Sequence, residues 1–292
     1  MVSSEPVSGF RDEAARQRFL RRYEVAFRKW PVAREELDVR TRFGTVHVHR
    51  SGDGPGPPVV LLHGLAVTSA AWHPNVAALA AHRAVFAVDM LGEQGRSVQQ
   101  KPIRDFADEA AWIEDVLTEL GLERAHVIGV SHGGWMAANY VVRFPDRAAT
   151  LTLLDSVGLS QARTRYLVGV FQDLILLAGP RWLAARSSSE TVPTDRDILR
   201  LTSASARDFK IRLPKAGVLG DEQLRSITAP LLVLLAERST VHHSDVVQAR
   251  LRALLPSAEV NVLPGVGHNF PMERPELVND RMVEFLAAAD RA

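Results

Sequence analysis

The chain has 292 residues, 46% hydrophobic and 24% charged, an ordinary globular composition with room for one large α/β domain and an insertion. Thirty-five basic residues against 34 acidic ones leave a formal charge of +1, which gives no bulk electrostatic case for nucleic acid or an anionic membrane. Without cysteine, disulfides, thiolate nucleophiles and cysteine-bound metals are excluded.

The opening MVSSEPVSGFRDEAARQ lacks the apolar core of a signal peptide, and no apolar run approaches membrane-spanning length, so a cytoplasmic location is expected. Arg11 to Trp30 reads as a helix with Phe19, Tyr23, Phe27 and Trp30 on one face. Its other face, with Arg16, Arg18, Arg21, Arg22 and Arg28 diluted by acids at 12, 13 and 24, reads as solvated. Leu37 to Phe43 and Val46 to Arg50 alternate around Gly44-Thr45 and predict an antiparallel hairpin. Pro58 to Leu62 is a continuous apolar strand of the kind buried on both faces of a parallel sheet, and it ends in His63-Gly64-Leu65. A helix over Ala71 to Ala81, a strand over Ala84 to Asp89, the loop MLGEQGRS and an amphipathic helix over Asp105 to Leu120, capped by Gly121, follow.

Ala125 to Ile128 reads as a buried strand and Trp135 to Phe144 as a helix stopped by Pro145. Ala149 to Leu154 is another strand, ending at Asp155. Strands alternating with helices argue for a mostly parallel twisted sheet with helices on both faces. From Ser156 to about Ile227 the alternation stops, and Tyr166 to Ala178 looks helical and unusually apolar. A stretch this long without a strand predicts a helical insertion lying over the sheet, with one face on the core or lining an apolar pocket. The pattern resumes with a strand over Pro230 to Leu235, a helix over His243 to Leu255, a strand over Glu259 to Leu263 and a closing helix over Pro275 to Ala288.

Between the strand at 125 and the helix that follows lies Gly129-Val130-Ser131-His132-Gly133. A serine in G-x-S-x-G between strand and helix forms a nucleophile elbow, a turn so sharp that the serine backbone is strained. Gly129 and Gly133 are small because neighbouring strand and helix atoms would meet a Cβ there. The geometry lifts the Ser131 hydroxyl above the sheet edge and turns the His132 amide toward the same spot. The plainer alternative is an ordinary turn with Ser131 as helix N-cap. A free hydroxyl is a poor nucleophile at neutral pH and needs an adjacent base. His268, flanked by Gly267 in the loop after the last strand, is the candidate.

These pieces in this order resemble the α/β-hydrolase fold: HG after an early strand, MLGEQGRS, the elbow, a lid, and a late G-x-G-H. The chain is closer still to the bacterial naproxen-type carboxylesterases, through WPV at 30–32, the TRFGTVHVHRSG run from Thr41, PPVVLLHG, WHPNV from Trp72, VFAVDMLGEQGRS, IGVSHGGWMAANYVVRFPDR and VGHNFPMERPELVNDRMVEFL. The resemblance implies a serine hydrolase with a catalytic triad, and an oxyanion hole made by the backbone amides of Leu65 and His132. It also divides the chain into an N-terminal helical extension (1–35), a core (36–155 and 228–292) and a helical lid (156–227).

In the third member of the triad this sequence departs from that family. The usual acid follows the penultimate strand, where this chain reads Ala236-Glu237-Arg238-Ser239 and places Ser239 at the acid's position. A serine can orient an imidazole but cannot offset the charge of an imidazolium, and losing the acid in comparable triads costs roughly 10⁴-fold in turnover. Asp155, at a strand end from which some α/β hydrolases supply their acid, is the favoured substitute; Glu237 and no working acid are the alternatives.

No cofactor is expected, because no H-E-x-x-H is present and the LGEQG glycines lack dinucleotide-binding spacing. The apolar insertion and near-neutral charge suggest a small, largely apolar ester or thioester as substrate. The contrasting reading, prompted by Ser239, is a triad-altered protein that binds an apolar small molecule or catalyses a non-hydrolytic step such as cyclisation.

Overall fold

The computed structural model describes residues 6–164, 166, 168 and 194–291. Its strands are β1 (Gly9–Phe10), β2 (Glu35–Thr41), β3 (Gly44–Ser51), β4 (Val59–Leu62), β5 (Val85–Val88), β6 (Val98–Gln99), β7 (Ala125–Val130), β8 (Ala148–Leu154), β9 (Phe209–Lys210), β10 (Leu231–Ala236) and β11 (Glu259–Leu263). The principal sheet has the order β11-β10-β8-β7-β4-β5-β3-β2, with β6 paired to β3. Every pairing from β11 to β5 is parallel, and β3 is antiparallel to β5, β2 and β6.

Successive side chains of a strand point to opposite faces, so the all-apolar strands feed two cores. Val60 and Leu62 of β4 join Trp112, Ile113, Trp135 and Tyr140 beneath α3 (Phe106–Glu119) and α4 (His132–Arg143). Val59 and Leu61 join Phe19, Tyr23 and Phe27 of α1 (Glu13–Phe27), Val76 and Leu79 of α2 (Val76–Ala80), and Met282 and Phe285 of the closing helix Pro275–Ala289. Among the described residues, no helix is long and apolar enough to cross a membrane.

Several boundaries differ from the sequence reading. The hairpin turns at Arg42-Phe43, since Gly44 already pairs with Thr41. Gly44 is instead needed for a close approach, because a Cβ there would lie 2.1 Å from the Val98 carbonyl oxygen of β6. The helix expected over 71–81 splits into a 3₁₀ turn, Ser69–Trp72, and α2, on either side of Pro74, which cannot donate to a helix interior. α4 begins at His132, three residues before its expected start, because the elbow serine itself occupies the N-cap.

Within 156–227, the described part contains the helix Arg196–Asp208 and the two-residue strand β9, which pairs with β1, so this stretch is not wholly without strand. The apolar helix read over Tyr166 to Ala178 lies outside the described residues apart from Tyr166 and Val168. The basic face of α1 is not simply solvated. Arg18 pairs with Asp208 at 2.9 Å, Arg22 donates to the Arg200 carbonyl, and Lys29 meets Asp195 and Asp197 at 2.8 and 3.0 Å. Thus α1 and β1 together grip the segment 195–210.

α3 starts where Asp105 accepts from the amides of Ala107 and Asp108, both at 2.9 Å. Asp105→Ala removes this cap and is expected to lower stability by about 1 kcal/mol. Urea denaturation checks it, as a lower midpoint at unchanged slope.

Candidate active site

The parallel register of β4, β7 and β8 brings the C-terminal ends of these strands to one edge of the sheet, and the chain leaving β7 turns there through Ser131. Ser131 has φ 54° and ψ −116°, a left-handed backbone that L-residues rarely adopt. The turn is tight enough that a Cβ on Gly129 would lie 2.1 Å from the Gly133 carbonyl oxygen, and one on Gly133 would lie 2.2 Å from that of Leu62. Ser131 stands at the helix N-cap, yet its side chain makes no capping hydrogen bond. Its Oγ lies instead 3.0 Å from His268 Nε2. The geometry favours the elbow over an ordinary capped turn.

His268 sits in the loop after β11, and its Nδ1 is 2.6 Å from Asp155 Oδ2. Asp155 follows β8 directly, in a left-handed conformation with φ 41°, and is fully buried. Its second oxygen accepts from the Ala236 amide at 2.9 Å, and Oδ2 also accepts from the Ser239 hydroxyl at 2.7 Å. Burial by itself pushes its pKa up, but the hydrogen bond and electrostatic interaction with His268, together with His242 and the Ala236 amide, hold the carboxyl below its ordinary value. The structure therefore brings Ser131, His268 and Asp155 into one chain of contacts.

Glu237, the other carboxylate considered, is exposed and accepts from the Gly265 amide at 2.7 Å. Ser239 lies beside the acid as a hydroxyl donor, a role the sequence reading did not assign. His242 was also missed: it is buried, with Nε2 3.4 Å from Asp155 Oδ1, and burial lowers its pKa against the opposing charge of Asp155. Its adjacency to His243 gave no sign of this, because the contact comes from the end of β10 folding across β8.

On the opposite side of Ser131, the loop after β4 comes close: a Cβ on Gly64 would lie 3.6 Å from Ser131 Cβ. The His63 ring fixes this loop, with Nδ1 2.8 Å from the Gly64 carbonyl and Nε2 accepting from the Met90 amide at 3.0 Å. Leu65 follows in that loop, and His132 opens α4, so the His132 amide is among the first-turn N–H groups that a helix leaves without an internal partner. The His132 ring stacks on Trp135, centroids 5.9 Å apart at 8°. Tyr166, from the segment that follows β8, lies edge-on to His268 with ring centroids 6.5 Å apart.

Among the described residues, one group of metal-ligand atoms assembles away from this edge: Glu36, His47 and His49. Alternation along the β2–β3 hairpin puts them on one face, a spacing that the search for helical metal motifs passes over. Glu36 is already paired with Arg96 at 2.8 Å and Arg34 at 3.2 Å, so two guanidinium charges stand where a cation would enter.

Residues 59–281 match the alpha/beta hydrolase family. The chain belongs to that family. Carboxylesterase YbfK of Bacillus subtilis is 30% identical over 279 residues, spanning 92% of this chain and 93% of the relative. The crystal structure of that carboxylesterase, CesB (YbfK), aligns with a TM-score of 0.85 over 94% of this chain and 99% of its own, at 28% identity. The naproxen esterase (carboxylesterase NP) of the same organism aligns with a TM-score of 0.85 over 93% and 98%, also at 28% identity. This α/β hydrolase is carboxylesterase-like, as its resemblance implied.

Gly133→Ala in this hydrolase forces a methyl group against the Leu62 carbonyl, and overpacking of that kind costs about 1–3 kcal/mol. The expected outcome is a lower urea midpoint at unchanged slope.

Proposed function

We propose that the protein is a serine carboxylesterase acting on a small, largely apolar ester or thioester through an acyl-serine intermediate. The observation that carries this reading is a single imidazole, His268, within 3.0 Å of the Ser131 hydroxyl on one side and 2.6 Å of a buried carboxylate on the other.

Ser131 Oγ attacks the ester carbonyl while His268 Nε2 takes its proton. The tetrahedral oxyanion accepts from the amides of Leu65 and His132, aimed where negative charge develops. His268 returns the proton to the departing alcohol or thiol, leaving the acyl group on Ser131. A water deprotonated by His268 then releases the carboxylic acid and restores the hydroxyl. Asp155 accepts from His268 Nδ1–H throughout, holding the productive tautomer and stabilising the imidazolium; Ser239 and the Ala236 amide hold Asp155 ionised. The near-neutral chain and the exposed Leu65 beside the loop support an uncharged, apolar substrate, and the names of the relatives support a carboxylic ester. The contrasting reading of a ligand-binding or cyclising protein rested on Ser239 in the acid's place. Asp155 at the His268 ring supports hydrolysis over it.

A fluorophosphonate probe is expected to label the wild type and not Ser131→Ala; folded wild type that stays unlabelled sinks the proposal. Asp155→Asn is expected to lower kcat for a short-chain nitrophenyl ester by roughly 10⁴-fold, whereas Glu237→Gln changes it by less than about threefold. Since the Ser239 hydroxyl sits 2.7 Å from Asp155, adding Ser239→Asp to Asp155→Asn is expected to return at least about tenfold of the lost rate. No recovery in that double variant, with Asp155→Asn alone still active, argues against Asp155 as the acid.

A further inference from the structure

One buried carboxyl touches both segments that carry the proposed oxyanion amides. Glu93, in the loop leaving β5, is 1% exposed. Its Oε2 accepts from the Ala66 amide at 3.0 Å. Ala66 follows Leu65 and has φ 61°, a left-handed conformation that a non-glycine residue keeps only where its surroundings impose it. Its Oε1 lies 3.6 Å from Nε2 of His132 and has no hydrogen-bond partner among the described residues.

We propose that Glu93 is a positioning residue for the oxyanion site: hydrogen-bonded to the His63–Ala66 loop and packed against the His132 ring at the start of α4, it sets how the Leu65 and His132 amides stand relative to one another. The proposal rests on the reading of Ser131 as nucleophile. The two amides come from segments 67 residues apart in the chain, and no strand pairing runs past the end of β4 to fix them. Donors that stabilise a transition state act through fixed placement, so a tie between their segments bears directly on turnover.

The tie works with a neutral acid. Burial pushes the Glu93 carboxyl up to about 8, with the Ala66 amide opposing and the Glu109 carboxyl adding. His132 is pushed down to about 4 by burial and by His63, so it is neutral and can accept. Glu109, itself raised to about 8 by burial, is the facing acid from α3. Asp12, Glu13 and Arg16 share with Glu93 the lining of a cavity of about 220 Å³ on its other side. Below pH 8 the acid is neutral: one oxygen accepts from Ala66 and the other packs beside the His132 ring at 3.6 Å, without a hydrogen bond. Above pH 8, the carboxylate adds negative charge beside a site that must itself stabilise negative charge, and turnover falls.

Glutamine reproduces the neutral acid, with a carbonyl for Ala66 and an uncharged amide group beside His132. In pH profiles of nitrophenyl ester hydrolysis, the wild-type kcat is expected to decline above about pH 8. Glu93→Gln is expected to hold kcat at pH 7 within about threefold and to lose that decline, while Glu93→Ala lowers kcat at least about tenfold with KM changed less than about threefold. A folded Glu93→Ala enzyme with wild-type kcat and pH profile overturns the proposal, as does a Glu93→Gln enzyme that keeps the decline or is as slow as the alanine variant. Where Glu93→Ala does not fold, the glutamine profile decides alone. Fluorophosphonate labelling of the wild type separates the two levels: absence of labelling defeats the nucleophile reading, whereas labelling with unaltered Glu93 variants defeats only this one.

Discussion

The close approach of α4 to the end of β4 is the constraint on which the site depends. With 2.2 Å between the Leu62 carbonyl oxygen and the place of a Cβ on residue 133, only glycine lets the helix start this near the strand. That contact drives Ser131 into its left-handed conformation and keeps its hydroxyl off the helix cap. It also brings the His63–Ala66 loop alongside, so that Ser131 and the proposed amide donors share one edge of the sheet. The strain at Ser131, Asp155 and Ala66, the only described non-glycine residues with positive φ, gathers at this edge and not elsewhere.

Placement of the carboxylate follows from the pairing of β8 with β10. These neighbours run parallel, with Leu154 opposite Leu234, so the residues just beyond each strand emerge side by side. A carboxylate leaving β8 and one leaving the loop after β10 can reach the same imidazole nitrogen. Ser239, in the loop after β10, donates to Asp155 there.

A second buried polar group links the N-terminal helix to the sheet. The Tyr23 hydroxyl donates to Asp89 at 2.8 Å and lies 2.7 Å from His49 Nε2, while Asp89 also accepts from Ser69 and the Arg96 amide. Asp89 thereby organises both ends of the loop that carries Glu93. The ion pair of Arg18 in α1 with Asp208, and those of Lys29 just beyond it with Asp195 and Asp197, extend the same support to the segment 195–208.

Much of this was legible in the residues. Continuous apolar strands bounded by G-x-S-x-G and by a late Gly-His carry the parallel sheet, the sharp turn at Ser131 and the loop that holds His268, because each rests on local backbone geometry and strand burial that a short stretch encodes. The aromatic stripe Phe19, Tyr23, Phe27 and Trp30 likewise named its buried face. Tertiary structure alone placed Asp155, and not Glu237, against the His268 ring, turned Ser239 and His242 toward that carboxylate, and set Glu93 between two loops. Those outcomes depend on which strand ends lie next to each other and on which side chains lose water together. Contacts between residues 84 or 113 positions apart leave no periodicity along the chain from which to read them.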